Sequence, residues 1–134
     1  MLGELVGEEF GQTTGTRVLR SVNGGPPTLE ISFQASGTLL DAPAMDMGTY
    51  TAELRPNGTI LGHGQGVVST PDGDMLTWTA FGVGQQANGV TQYRGSVVYE
   101  TGASRFARLN GLCCAFEYEV DDSGKTTGRW WEWK

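Results

Sequence analysis

His63 is the single histidine of a 134-residue chain. Imidazole gains and loses a proton near neutral pH, which makes it the first candidate for acid–base work. Gln65 follows two residues later and would share its face of a strand. Tyr50 falls opposite Gln65 if the intervening Asn57-Gly58 closes a two-residue turn. An imidazole, an amide and a phenol together could hydrogen-bond a carbonyl or hydroxyl of a ligand. Glu132 lies among tryptophans near the end of the chain. A carboxyl buried there would have a raised pKa and could act as a general acid; at an open rim it would instead pair with Arg105 or Arg108. The candidate catalytic groups are therefore Tyr50, His63 and Glu132. The candidate ligand contacts are Tyr50, His63, Gln65, Trp78, Tyr93, Tyr99, Phe116 and Trp130. Against this stands a polar cluster satisfied within itself, with aromatic rings that simply fill the interior.

Other chemistries find little support. Cys113 and Cys114 are adjacent, so in a strand their thiols face opposite ways and do not bridge. No Cys-x-x-Cys spacing exists, and one histidine cannot complete a zinc site, so no metal or other cofactor is expected. The glycines of Gly62-His63-Gly64-Gln65-Gly66 lie inside a strand rather than ahead of a helix, which rules out a nucleotide-binding loop.

The elements that must position these groups are short runs with period-2 alternation, separated by Gly, Asn, Asp and Pro. Strands are expected over Thr16–Val22, Thr28–Ser36, Gly48–Arg55, Thr59–Ser69, Met75–Val83, Val90–Glu100, Arg105–Asn110, Leu112–Val120 and Thr126–Trp133. Residues 1–11 form either a further strand or a frayed arm. Leu40–Asp46 reads as a loop, because Pro43 would interrupt a ladder. No long helix is expected.

The turns set the register. Asn57-Gly58, Asp72-Gly73 and Asn88-Gly89 read as two-residue turns with positive φ at both positions. Asp122-Ser123-Gly124 reads as a three-residue turn. Opposed residues share a face, so one face collects Tyr50, Ala52, Leu54, Leu61, His63, Gln65, Val67, Leu76, Trp78, Ala80, Tyr93, Val97 and Tyr99. The other collects Thr49, Thr51, Glu53, Gly62, Gly64, Gly66, Thr77, Thr79, Arg94 and Ser96, with Phe81 and Val98 as apolar exceptions. The last hairpin opposes Phe116 to Trp130 and Cys114 to Glu132 inside, and leaves Trp131 and Trp133 outside.

A meander with one apolar face, and no helix to cover it, must close on itself or pack as a sandwich. The expectation is one all-β domain over residues 1–134, an antiparallel up-and-down barrel of about eight strands. Eight strands enclose room for side chains or for one small ligand. A net charge of −6 with no basic stripe disfavours nucleic acid. No apolar run approaches a membrane span. Met1-Leu2-Gly3-Glu4 lacks the start of a signal peptide, so a cytoplasmic location is the default expectation.

The order Gly48-Thr49-Tyr50, Gly62-His63-Gly64-Gln65-Gly66, Tyr93-Arg94-Gly95 and Ala103-Ser104-Arg105-Phe106-Ala107-Arg108-Leu109-Asn110-Gly111 resembles the allene oxide cyclase and dirigent type of β-barrel, a calycin-like group, including its uncharacterised bacterial members. The last stretch is similar to the Gly-Ser-Gly-x-Phe…Gly segment of that superfamily. The resemblance covers residues 12–134 as a pattern, without a catalytic signature. It implies an eight-stranded barrel, often a homodimer or homotrimer, with a small apolar ligand at one mouth, and it implies no reaction. The functions in view are a barrel that binds a small apolar molecule, a cyclase or isomerase for a hydrophobic substrate, and an oligomeric interaction module using the outer tryptophans.

Overall fold

The computed structural model describes residues 1–21 and 24–134; Val22, the expected end of the first strand, lies outside them. Eight strands follow one another: β1 (Leu2–Leu19), β2 (Thr28–Leu39), β3 (Ala42–Leu54), β4 (Ile60–Ser69), β5 (Met75–Ala87), β6 (Val90–Glu100), β7 (Cys113–Val120) and β8 (Lys125–Trp133). Each pairs antiparallel with the next, and β1 also pairs with β8, so the meander closes into an up-and-down barrel. Closure leaves no unpaired sheet edge.

Three expected elements change. Residues 1–11 are strand and not a frayed arm, but they run on continuously as the first half of β1, which supplies the closing ladder to β8. Leu40–Asp46 is not a loop. Leu40-Asp41 alone makes the turn, both at positive φ (48° and 63°), and Leu39 pairs with Ala42. Pro43 sits in the second position of β3, beside this turn, where its missing N–H costs little. Arg105–Asn110 is not a strand. Ser104–Gly111 is a short 3₁₀ helix that folds Phe106 and Leu109, both 0% exposed, under one end of the barrel. Its Arg105 reaches Asp72 at 3.1 Å and its Arg108 reaches Glu132 at 3.3 Å. Phe106 and Leu109 join Val6, Leu39, Val68, Leu76 and Cys114 in an apolar layer that plugs this end.

The register is the main correction. Asn88-Gly89 is a two-residue turn with φ of 56° and 79°, and it opposes Trp78 to Tyr99 and Ala80 to Val97. The last hairpin opposes Phe116 to Trp130 and Cys114 to Glu132. The other two turns take three residues each. Arg55 pairs with Thr59 around Pro56-Asn57-Gly58, and Thr70 pairs with Asp74 around Pro71-Asp72-Gly73. Only the glycine of each is at positive φ. Proline at the first turn position fixes φ near the type I value, which carries the glycine into the left-handed position that closes the ladder. Each extra residue shifts the pairing by one. Leu54 opposes Ile60 and not Leu61, and Tyr50 opposes Gly64 and not Gln65. β4 is therefore turned over. Ile60, Gly62, Gly64 and Val68 face the core; His63, Gln65 and Val67 are exposed and Leu61 is half-buried. Leu54 also ends up exposed.

The outer wall carries exposed apolar side chains, with Met47 directly opposite Val67 and with Phe81, Val98 and Trp133 well exposed. No helix among the described residues is long and apolar enough to cross a membrane.

Candidate functional site

Turning β4 over puts bare backbone on the inner wall, and large rings occupy the room. A Cβ on Gly66 would lie 2.4 Å from the Trp78 ring, and one on Gly48, its partner on β3, would lie 2.5 Å from the same ring. The indole of Trp78 thus leaves β5, lies across two glycines on β4 and β3, and ends at Asp46. Its Nε1 donates to Asp46 Oδ1 at 2.7 Å. A hydrogen bond to an ionised or partly ionised carboxyl in a dry interior is among the stronger polar contacts a protein makes. Tyr93 uses the same device: a Cβ on Gly84 or Gly62 would stand 2.7 or 3.2 Å from its ring.

Asp46 is 8% exposed and Glu9, from β1, is 7% exposed. Each carboxyl enters the other's environment, and among the described residues no cationic neighbour contributes to either. Burial first, then the charge of Asp46, hold Glu9 well above the usual carboxylate range. Burial also raises Asp46, partly offset by hydrogen bonds from Glu9, Trp78 and the Met47 backbone. Tyr99, raised by burial and by the nearby charges of Asp46 and Glu9, lies against the pair.

Along the strands toward the Asn57-Gly58 end stand three phenols. Tyr50 meets Tyr93 edge-on at 5.6 Å and Tyr118 at 6.1 Å between centroids. Burial pushes Tyr93 up to about 12, against a hydrogen bond to Tyr50 that acts the other way. Burial raises Tyr50 and Tyr118 further. All three are neutral hydroxyls under ordinary conditions.

Between the carboxyl pair and the phenols lies a cavity of about 90 Å³, walled by Phe33, Tyr50, Trp78, Tyr93, Tyr99, Phe116, Tyr118 and Trp130, with Glu9 and Asp46 in its lining. One water needs about 10–15 Å³ on this measure, so the space is several times a single water. Trp130 is 7% exposed, and its indole Nε1 has no partner.

Of the residues expected at the site, Tyr50, Trp78, Tyr93, Tyr99, Phe116 and Trp130 line the cavity. His63 and Gln65 do not bring side chains to it. His63 borders the cavity only through β4, whose flanking Gly62 and Gly64 leave backbone as the wall; its ring is exposed and packs on Phe81 at 6.1 Å. The inward placement of both residues is thus corrected by the three-residue turns that flank β4. We expect His63→Ala to leave stability within about 0.5 kcal/mol and interior ligand binding unchanged, as chemical denaturation and calorimetry can check. Glu132 is at the plugged end, paired with Arg108, outside the cavity. Cys113 and Cys114 are both free; burial raises the Cys114 thiol to about 11, which makes it inert. Among the described residues no group of three or more His, Cys, Asp or Glu could hold a metal.

Glu9, Asp46, Phe33 and Tyr118 were not among the expected site residues. Alternation carries a signal for Asp46: counting back from Tyr50 through Gly48 places it on the inner face.

The fold and site define a class, the closed eight-stranded antiparallel barrel with an aromatic interior cavity. Within that class, the chain is similar to two solved structures. One is a protein with unknown function from Clostridium acetobutylicum, at TM-score 0.84 and 10% identity over 98% of each chain. The other is a conserved protein of unknown function from Rhodopseudomonas palustris, at TM-score 0.81 and 13% identity over 98% of this chain and 97% of that one. At these identities the likeness concerns the fold alone. No protein-family model and no curated protein matches the chain.

Proposed function

We propose that the protein binds a small, largely apolar aromatic molecule inside the barrel, in the manner the resemblance to allene oxide cyclase-like barrels implies. The observation that carries this reading is the 90 Å³ cavity walled by aromatic rings. Interiors are normally packed close to crystal density, and an eight-stranded barrel could have been filled by its own side chains. Here glycines sit on the inner row where larger residues would have closed the space, and apolar walls with a few polar groups are the usual make-up of a ligand site.

The test uses para-cresol as the probe. A ligand that binds only the folded state raises the melting temperature with concentration. Para-cresol is expected to raise that of the wild type in a saturable way. Ala80→Leu, on the cavity wall between Gly64 and Val97, should fill the space and remove the effect while keeping the fold. Equal shifts in both proteins would mean that the probe binds elsewhere.

A second reading, a cyclase or isomerase for a hydrophobic substrate, is favoured by Glu9. Burial raises its pKa, and a carboxyl of raised pKa beside an apolar cavity can donate a proton to a substrate. Under that reading Glu9→Gln abolishes turnover of a candidate substrate while leaving its binding intact, and retained turnover removes the acid role. His63 cannot serve, because its ring is outside.

A further inference from the structure

Three features of the cavity go beyond what an apolar ligand would need. Glu9 and Asp46 place two carboxyls in its lining, each less than a tenth exposed. Among the described residues no cation inside the barrel compensates them. Arg129 is engaged with Glu8 on the outer wall, Arg108 with Glu132 and Glu4, and Arg105 with Asp72 and Asp74 at the plugged end. The rings beside the pair offer π faces, which attract cations.

We propose that the natural ligand is a small aromatic amine, bound as its ammonium ion, whose charged end sits on Glu9 and Asp46. This rests on the reading of the cavity as a ligand site and specifies which ligand it takes. The ammonium supplies the missing counter-charge, and its N–H groups match the acceptor oxygens of the pair. Its ring lies among Phe33, Tyr50 and Trp78. A hydrocarbon of the same size would leave the carboxyl pair without a counter-charge, at the cost that buried unpaired polar groups carry.

The charge assignment is tested with para-hydroxybenzylamine and para-hydroxybenzyl alcohol, which have the same heavy-atom count and differ at one atom. Calorimetry at neutral pH should show the amine binding wild type about tenfold or more tightly than the alcohol, the scale of a charged over a neutral hydrogen bond. Glu9→Gln and Asp46→Asn, which keep shape, should erase that preference by weakening the amine and sparing the alcohol. If wild type binds the alcohol as tightly as the amine, the charge assignment is wrong while the cavity remains a ligand site. If neither molecule binds wild type and para-cresol also fails, the ligand site itself is wrong. The comparison on wild type does not depend on any variant folding.

Discussion

Gly66→Val is expected to lower the melting temperature sharply. A Cβ at Gly66 falls 2.4 Å from the Trp78 ring, far inside contact distance. Phe33 lies 6.2 Å from the ring between centroids, and the indole N–H is bonded to Asp46 at 2.7 Å. Moving the indole would break that bond and leave a buried carboxyl short of a donor. Overpacking alone costs about 1–3 kcal/mol, and orphaning a buried polar group adds about 1–3 kcal/mol. The sum, about 2–6 kcal/mol, corresponds to a fall of roughly 6–30 °C for a chain of this size. Gly15→Ala is the control. Nothing lies within 4 Å of a Cβ there, so it should be neutral or raise stability by about 0.5 kcal/mol through the unfolded chain. Equal behaviour of the two variants in thermal unfolding would show that Gly66 does not face the ring.

The second large effect is on the pH dependence of stability, with Glu9→Gln as its probe. Glu9 and Asp46 both have raised pKa values in the folded protein. Between the unfolded and the folded values, the native state holds more protons than the unfolded one. Stability from the pair is therefore fully present below the ordinary carboxyl range and is lost as pH rises through the folded values. Asp121 works in the opposite sense. Its pKa is lowered by hydrogen bonds from Ser123 and Lys125, so its contribution is present above the ordinary range and lost as pH falls through the folded value. The unliganded protein should thus be most stable on the mildly acidic side, and its melting temperature should decline toward mildly alkaline pH. Glu9→Gln cannot ionise and should flatten that decline, ending above wild type in alkaline solution by about 1–4 kcal/mol, the range seen when buried charge is replaced. A wild-type profile that rises through neutral pH would contradict the buried, raised pair.

The same residues show why the sequence revealed the barrel but misplaced part of its site. Strand pairing in β5–β6 and β7–β8 follows from Asn88-Gly89 and Asp122-Ser123-Gly124, where the turn chemistry is unambiguous. Pro56 and Pro71 are the residues that mislead. Each makes the following Asn-Gly or Asp-Gly the tail of a three-residue turn, and each shifts register by one. Because the two turns flank one strand, the second shift undoes the first. Tyr50, Trp78, Tyr93 and Tyr99 keep their expected inward faces, and only β4 is inverted. The inversion leaves no contradiction in the pattern, since both rows of β4 lack charge: one has His63 and Gln65, the other only glycines between Ile60 and Val68. Glu9 and Asp46 escaped because they lie in segments read as an arm and a loop. A carboxylate is not expected to be buried without a partner, and the compensating Trp78 is two strands away, reached only because Gly66 and Gly48 are bare.

The central claim is that a small molecule binds among the inner rings, and the four tryptophans offer a direct reading. Trp78 and Trp130 line the cavity, while Trp133 is exposed and Trp131 lies outside the cavity. Their indole N–H groups give separate signals in a nitrogen–proton correlation spectrum. On titration with para-cresol, the signals of Trp78 and Trp130 should move together and saturate, with those of Trp131 and Trp133 still. Movement confined to Trp131 and Trp133, or no saturable movement at all, would contradict an interior site.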